Sequence, residues 1–173
     1  SSDNTVSIYN QASLLVQKAD YANALKLIYP TVKSHPTFFK GWLLFSRCLY
    51  AIGHVKEAVD IALNAENVDP MKREFEQISL LMEQQDYSAA EQIALQMLKE
   101  FGPHPKAYFT LGRIFLQVNM PEKGIEVLEQ AVEHLPSNLS IRKLLSDGYA
   151  SAGQYSNTIE SLKTLTTLDE CFD

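Results

Sequence analysis

The sequence predicts an all-α fold, an α-solenoid of antiparallel helix pairs. Three observations carry that prediction. Turn residues recur at a period of about 34, near Tyr21, Gly53, Tyr87, Asn119 and Tyr155. Each is followed by a helix with small residues on one face, and most of these helices run into a proline. Between the turns, apolar residues return every three or four positions, the period of a helix with one buried face. Hydrophobic residues make up 46% of the chain and charged residues 21%, enough apolar surface for a core and no signature of disorder.

The elements follow in order. In the first pair Ile8, Ala12 and Leu15 form a helical stripe and Ala19-Asp20-Tyr21 turns the chain. Ala24, Leu25, Ile28 and Val32 then face back, before His35-Pro36 ends the helix. The second pair is the best formed. Trp42 is expected to plug the space between its helices, and Ala58 and Ala62 to let the backbones approach, so Trp42→Ala should cost roughly 3–5 kcal/mol. The third pair is degenerate, because Glu74 and Ile78 stand where an aromatic and a small residue are due. The matching turn at Gln85 follows Gly53 by 32 residues, which predicts a shortened first helix and a bend at this joint. Phe101-Gly102-Pro103-His104-Pro105 breaks the chain firmly. The fourth pair turns at Asn119-Met120-Pro121, where proline suits a first helical turn. In the fifth, Leu162, Leu165, Leu168 and Phe172 are expected to be partly exposed, since no polar capping helix follows.

The two clearest copies run Trp42, Phe45, Ser46, Leu49, Gly53, Ala58, Ala62, Ala65, Pro70 and Tyr108, Leu111, Gly112, Phe115, Gly124, Leu128, Ala131, Pro136. That succession of large, large, small, large, turn, small, small and proline resembles the tetratricopeptide repeat. The resemblance implies a right-handed superhelix whose first helices line a concave face, and a function of binding rather than catalysis. The chain then reads as a single array over 1–173, with repeats at 5–38, 39–70, 71–104, 105–138 and 139–172. It begins Ser1-Ser2-Asp3-Asn4, without Met or a basic-then-apolar leader, and is expected to be a piece of a longer chain.

Aligning the units places Tyr9, Ser13, Lys40, Leu43, Leu44, Arg47 and Tyr50 on the concave face. Lys72, Phe75, Glu76, Ser79, Lys106, Phe109, Arg113, Gln117, Lys143 and Asp147 continue it. Six basic residues (Lys40, Arg47, Lys72, Lys106, Arg113, Lys143) face three acidic ones (Glu76, Asp147 and Glu83 at the margin), a balance of +3 in a chain of −6. A basic floor with aromatic residues suits a protein or peptide partner that is acidic and carries apolar anchors. The expected contact residues are Tyr9, Lys40, Leu43, Arg47, Lys72, Phe75, Lys106, Phe109, Arg113 and Lys143, with the two arginines able to take carboxylates in bidentate fashion. The alternative is that these are solvated charges on helix faces. Family members that grip a Glu-Glu-Val-Asp chaperone tail use a Lys/Asn, Asn, Lys/Arg pattern. Neither register here reproduces it: one gives Tyr9, Ser13, Leu44, Lys72 and Glu76, and the other Leu43, Arg47, Glu76, Lys106 and Thr110.

Nothing in the sequence points to chemistry. His35, His54, His104 and His134 fall at turns or helix ends without metal-ligand spacing. No Gly-x-Ser-x-Gly turn or phosphate-binding glycine loop occurs, and no cofactor is expected. Cys48 and Cys171 lie too far apart along a solenoid to pair, and cysteine usage fits a reducing cytoplasm. The glutamates at 122, 126, 129 and 133 read as a solvated outer helix face. Asn138-Leu139-Ser140 fits a glycosylation triplet in a turn. Net charge of −6 and a pI near 5.2 argue against a general nucleic-acid binder, and no apolar run approaches the roughly 18 residues of a membrane span. Three readings stand at this point: an interaction module with a groove, the accessory region of a larger enzyme such as a transferase, and a scaffold that self-associates through its last helix.

Overall fold

A computed structural model describes residues 2–170, so Cys171 and Phe172 of the sequence reading lie outside the described residues. The helices are α1 (Ser2–Gln17), α2 (Tyr21–Ser34), α3 (Phe39–Ala51), α4 (Val55–Ala65), α5 (Lys72–Glu83), α6 (Tyr87–Phe101), α7 (Pro105–Gln117), α8 (Pro121–His134), α9 (Leu139–Ser151) and α10 (Tyr155–Glu170). A single 3₁₀ turn, Glu66–Val68, follows α4, and no strand occurs among the described residues. The fold is all-α, with consecutive helices packed as pairs.

One device makes all five pairs. Within each pair the first helix ends on a residue in left-handed conformation: Ala19 (φ 58°), Gly53 (93°), Gln85 (60°), Asn119 (59°) and Gly153 (73°). The next residue's N–H reaches back to the carbonyl five positions earlier, at 2.7–2.9 Å: Asp20 to Leu15, His54 to Leu49, Asp86 to Leu81, Met120 to Phe115 and Gln154 to Tyr149. This is the paired C-terminal helix cap that reverses the chain while satisfying its last carbonyls. Two of the second helices then start on a carboxylate, with Asp20 accepting from the Asn23 N–H at 3.3 Å and Asp86 from that of Ala89 at 3.1 Å.

The anomalous interval lies where the sequence places it. Between Gly53 and Gln85 one residue is lost from the first helix, since α5 has 12 residues where α3, α7 and α9 have 13. The other is lost over α4 and the link that follows it, which together span 17 residues (55–71) where α2, α6 and α8 with their links span 18. The chain divides into two compact units at the same place, one ending at Pro70 and the other starting at Met71.

In the first unit α1–α4 close on Ala12, Val16, Ala24, Ile28, Val32, Leu44, Phe45, Cys48, Leu49 and Ala58. Trp42 does not plug the pair. It is half-buried, edge-on to Phe45 with ring centroids 6.0 Å apart, and its indole N–H donates to the Pro36 carbonyl at 2.8 Å. The ring therefore walls a cavity of about 300 Å³ with Pro36, Ile61, Asn64, Ala65 and Val68. Ala62 is likewise only half-buried. The tight contact is made instead by Ser46, whose hydroxyl donates to the Ala58 carbonyl across the pair.

In the second unit Ile78, Ala94, Met97, Ala107 and Leu111 form a core under α5–α7. Ile78, out of pattern in the sequence, is fully buried, so the degenerate pair fills its interior with bulk rather than close backbone approach. In the next pair α7 and α8 do approach closely, because a Cβ on Gly112 would lie 2.5 Å from Leu128. The last helix corrects the sequence reading. Leu165 and Leu168 turn inward and are buried, while Leu162 is 49% exposed beside Tyr155 and Ile159.

Candidate functional site

The contact residues expected from sequence fall into two groups that differ in state. In the first unit Tyr9, Lys40 and Arg47 come together. Tyr9 is half-buried, with its ring edge-on to Phe38 at 6.0 Å, and the Lys40 ammonium lies 5.8 Å from the ring centre. Burial pushes the Tyr9 hydroxyl above its ordinary range, against the opposing pull of its hydrogen bond to Ser13 and of the Arg47 charge. Burial also lowers the Lys40 pKa. Leu43 and Leu44 are buried rather than presented, so neither offers side-chain surface to a ligand. Phe38, which fixes the Tyr9 ring, lies in the loop before α3 and carried no signal in the repeat pattern.

The second unit holds an open cleft of about 490 Å³. Phe75, Ser79 and Met82 of α5 form one wall and Phe109, Arg113 and Gln117 of α7 the other, with Ile78 and Thr110 at the floor. These α7 positions are four residues apart, so they stand on one helix face by geometry. Glu83, Gln85 and Tyr87 close one end. The Lys106 ammonium sits 5.0 Å from the centre of the Phe75 ring, within cation–π range.

The polar lining is partly satisfied from within. Ser79 donates to the Phe75 carbonyl at 3.0 Å and Thr110 to that of Lys106 at 2.7 Å, so both hydroxyls face their own helices. Arg113 and Gln117 are exposed, and both line the cleft. Glu83, at the end of the cleft, adds a carboxylate to the lining that also holds Arg113.

Of the ten expected residues the cleft brings together Phe75, Phe109 and Arg113, with Lys106 held against Phe75. Lys72 and Lys143 are exposed on α5 and α9, outside its lining. Met82, Gln85 and Tyr87 were missed. The last two sit at the left-handed turn and the start of α6, so a search confined to first helices passes over them.

His104, expected as a helix terminator, is fully buried and starts α7 by accepting the Lys106 N–H at 3.1 Å. Asn138 of the glycosylation triplet starts α9 in the same way, accepting the Ile141 N–H at 2.9 Å. Among the described residues no group of three or more His, Cys, Asp or Glu is placed to hold a metal ion. No described helix is long and apolar enough to cross a membrane.

Comparison with known proteins agrees with this architecture. The family model described as tetratricopeptide repeat matches residues 81–147. MamA (residue 41 to the end) from Desulfovibrio magneticus RS-1 superposes with a TM-score of 0.54, at 16% identity over 99% of this chain and 98% of that one. A MamA RS-1 ArsTM double mutant gives 0.54 and 16% over 99% and 97%, and another MamA crystal structure 0.53 and 16% over 98% and 94%. At this identity the likeness is one of fold. No curated protein matches the chain.

Proposed function

From the premise that this chain carries tetratricopeptide repeats, we propose that it is a non-catalytic interaction module that takes a partner peptide in the α5–α7 cleft. The observation that carries the reading is the placement of Phe75 and Phe109 on facing walls, with Arg113 one helical turn beyond Phe109. Half-buried aromatic rings that open on the cleft beside an arginine offer apolar contact and a bidentate partner for a carboxylate in one place. With Glu83 in the same lining, the partner is a segment carrying one bulky apolar anchor and one or two carboxylates, rather than a strongly acidic tract. In the first unit Lys40 and Arg47 present charge beside a Tyr9 ring already packed on Phe38, so the α5–α7 cleft is the contact proposed here.

The test is amide NMR on the 173-residue chain titrated with a short peptide of Asp, Glu, Leu and Phe. Shifts concentrated on α5 and α7, and lost in Arg113→Glu with helical content unchanged, are expected. Shifts that persist in Arg113→Glu, or that gather on the second helices of the pairs, would move the site elsewhere.

A further inference from the structure

The two walls of the α5–α7 cleft repeat each other residue by residue. Phe75, Ser79 and Glu83 of α5 stand 34 residues before Phe109, Arg113 and Gln117 of α7, and all six line the cleft. Each set steps by four, so each keeps to one face of its helix. The cleft therefore has a ring pair at Phe75 and Phe109, a middle rung at Ser79 and Arg113, and a last rung at Glu83 and Gln117.

These rungs are ordered in charge. Two chain reversals, through α6, make α5 and α7 run the same way, and the Lys106 ammonium near the start of α7 lies against Phe75 near the start of α5. Both helix N-termini, with their partial positive charge, thus stand at the ring end, and both C-termini at the Glu83 end. Side chains and helix dipoles agree, since Lys106 and then Arg113 precede Glu83 along the cleft. The acidic rung is particular to this cleft. At the same station the other first helices carry Gln17, Ala51, Gln117 and Ser151, none of them charged.

Spacing turns that order into a partner. Successive rungs are about 6 Å apart along the helix axes, the rise of four helical residues. Two residues of an extended chain span nearly the same length, about 7 Å. We infer that the cleft selects an extended segment carrying a bulky apolar residue, a carboxylate two positions away, and a lysine or arginine two positions beyond that. The inference rests on the peptide-binding reading above and deepens it. The carboxylate meets Arg113, and the basic residue meets Glu83 and the negative helix ends. A second carboxylate on the last rung would face Glu83 and is disfavoured.

Two end-blocked peptides test this, Gly-Phe-Ser-Glu-Ser-Lys-Gly and the same sequence with Glu in place of Lys. Each is also made in reverse order, because the rungs fix the order of side chains and not the chain direction. Amide NMR titrations of the 173-residue chain give the affinities. The Lys form should bind more tightly than the Glu form in at least one direction. In Glu83→Lys, a change at an exposed helix end, that preference should invert. Exposed charge pairs are worth a few-fold each, so the ratio of the two affinities should swing by about tenfold. Glu126→Lys on α8, exposed and outside the lining, changes net charge equally and should move the ratio by less than about twofold. A ratio that stays put in Glu83→Lys, or that moves as far in Glu126→Lys, overturns the inference. If the peptides then still bind and are lost in Arg113→Glu, the peptide-binding reading stands without it. Failure of all four peptides to bind, or binding that survives Arg113→Glu, removes that reading and this inference together.

Discussion

Tyr9 in the first unit and Phe75 with Phe109 in the second occupy comparable stations on first helices, yet their rings are used differently. All three rings are half-buried, but Tyr9 is stacked edge-on against Phe38, so its aromatic surface is committed to packing. Phe75 and Phe109 flank an open cleft, with the Lys106 ammonium against the Phe75 ring. The difference comes from neighbours rather than from the residues themselves. A loop aromatic precedes α3 at Phe38, whereas His104 stands in the matching place before α7 and is folded into the cap of that helix. An aromatic at a groove position is therefore a candidate contact only when no other ring has already claimed it.

Three substitutions break or sharpen this comparison. Tyr9→Ala should show the largest effect, a loss of about 2 kcal/mol in stability by urea unfolding, because it empties a half-buried aromatic contact. It should leave peptide binding by the α5–α7 cleft unchanged. Phe109→Ala should weaken peptide capture by about tenfold in calorimetry, at a stability cost no larger than that of Tyr9→Ala, since both rings are half-buried. Equal effects of the two on binding would erase the distinction.

Cys48 gives the smallest effect at neutral pH. Burial pushes its thiol to about 11, against the opposing Arg47 charge, so alkylation in the folded chain should run roughly a hundredfold slower than for an ordinary thiol. The sign for stability follows from that shift. The unfolded thiol ionises first, so this stabilisation is complete below about pH 9 and is lost as pH rises toward about 11. Cys48→Ala should flatten that decline without touching peptide binding.

The turns were legible because their requirement is local. A left-handed residue and a chain reversal recur at Ala19, Gly53, Gln85, Asn119 and Gly153, and the 32-residue interval is visible by counting. The helix pairs followed from those turns and from the apolar stripes. Trp42 was not legible, because its depth depends on whether the Pro36 carbonyl offers its indole a partner, which periodicity does not encode. Leu165 and Leu168 were misplaced for a related reason. An uncovered last helix still has one covered side, and only the phase of the stripe separates these residues from Ile159 and Leu162.

Of the candidate site, the columns carried the expectation that Phe75, Phe109 and Arg113 share a face, and these three line one cleft, whereas Leu43, in an equally good column, is buried in the first unit. Glu83, expected at the margin, stands with Gln85 and Tyr87 at one end of the cleft.

The measurement that reaches the central claim most directly is selection of random peptides on the folded 173-residue chain, with parallel selection on Arg113→Glu. The account predicts enriched peptides with one bulky apolar residue beside a carboxylate, and their loss on Arg113→Glu. Enrichment of basic peptides, or of sequences that bind both proteins equally well, would contradict it.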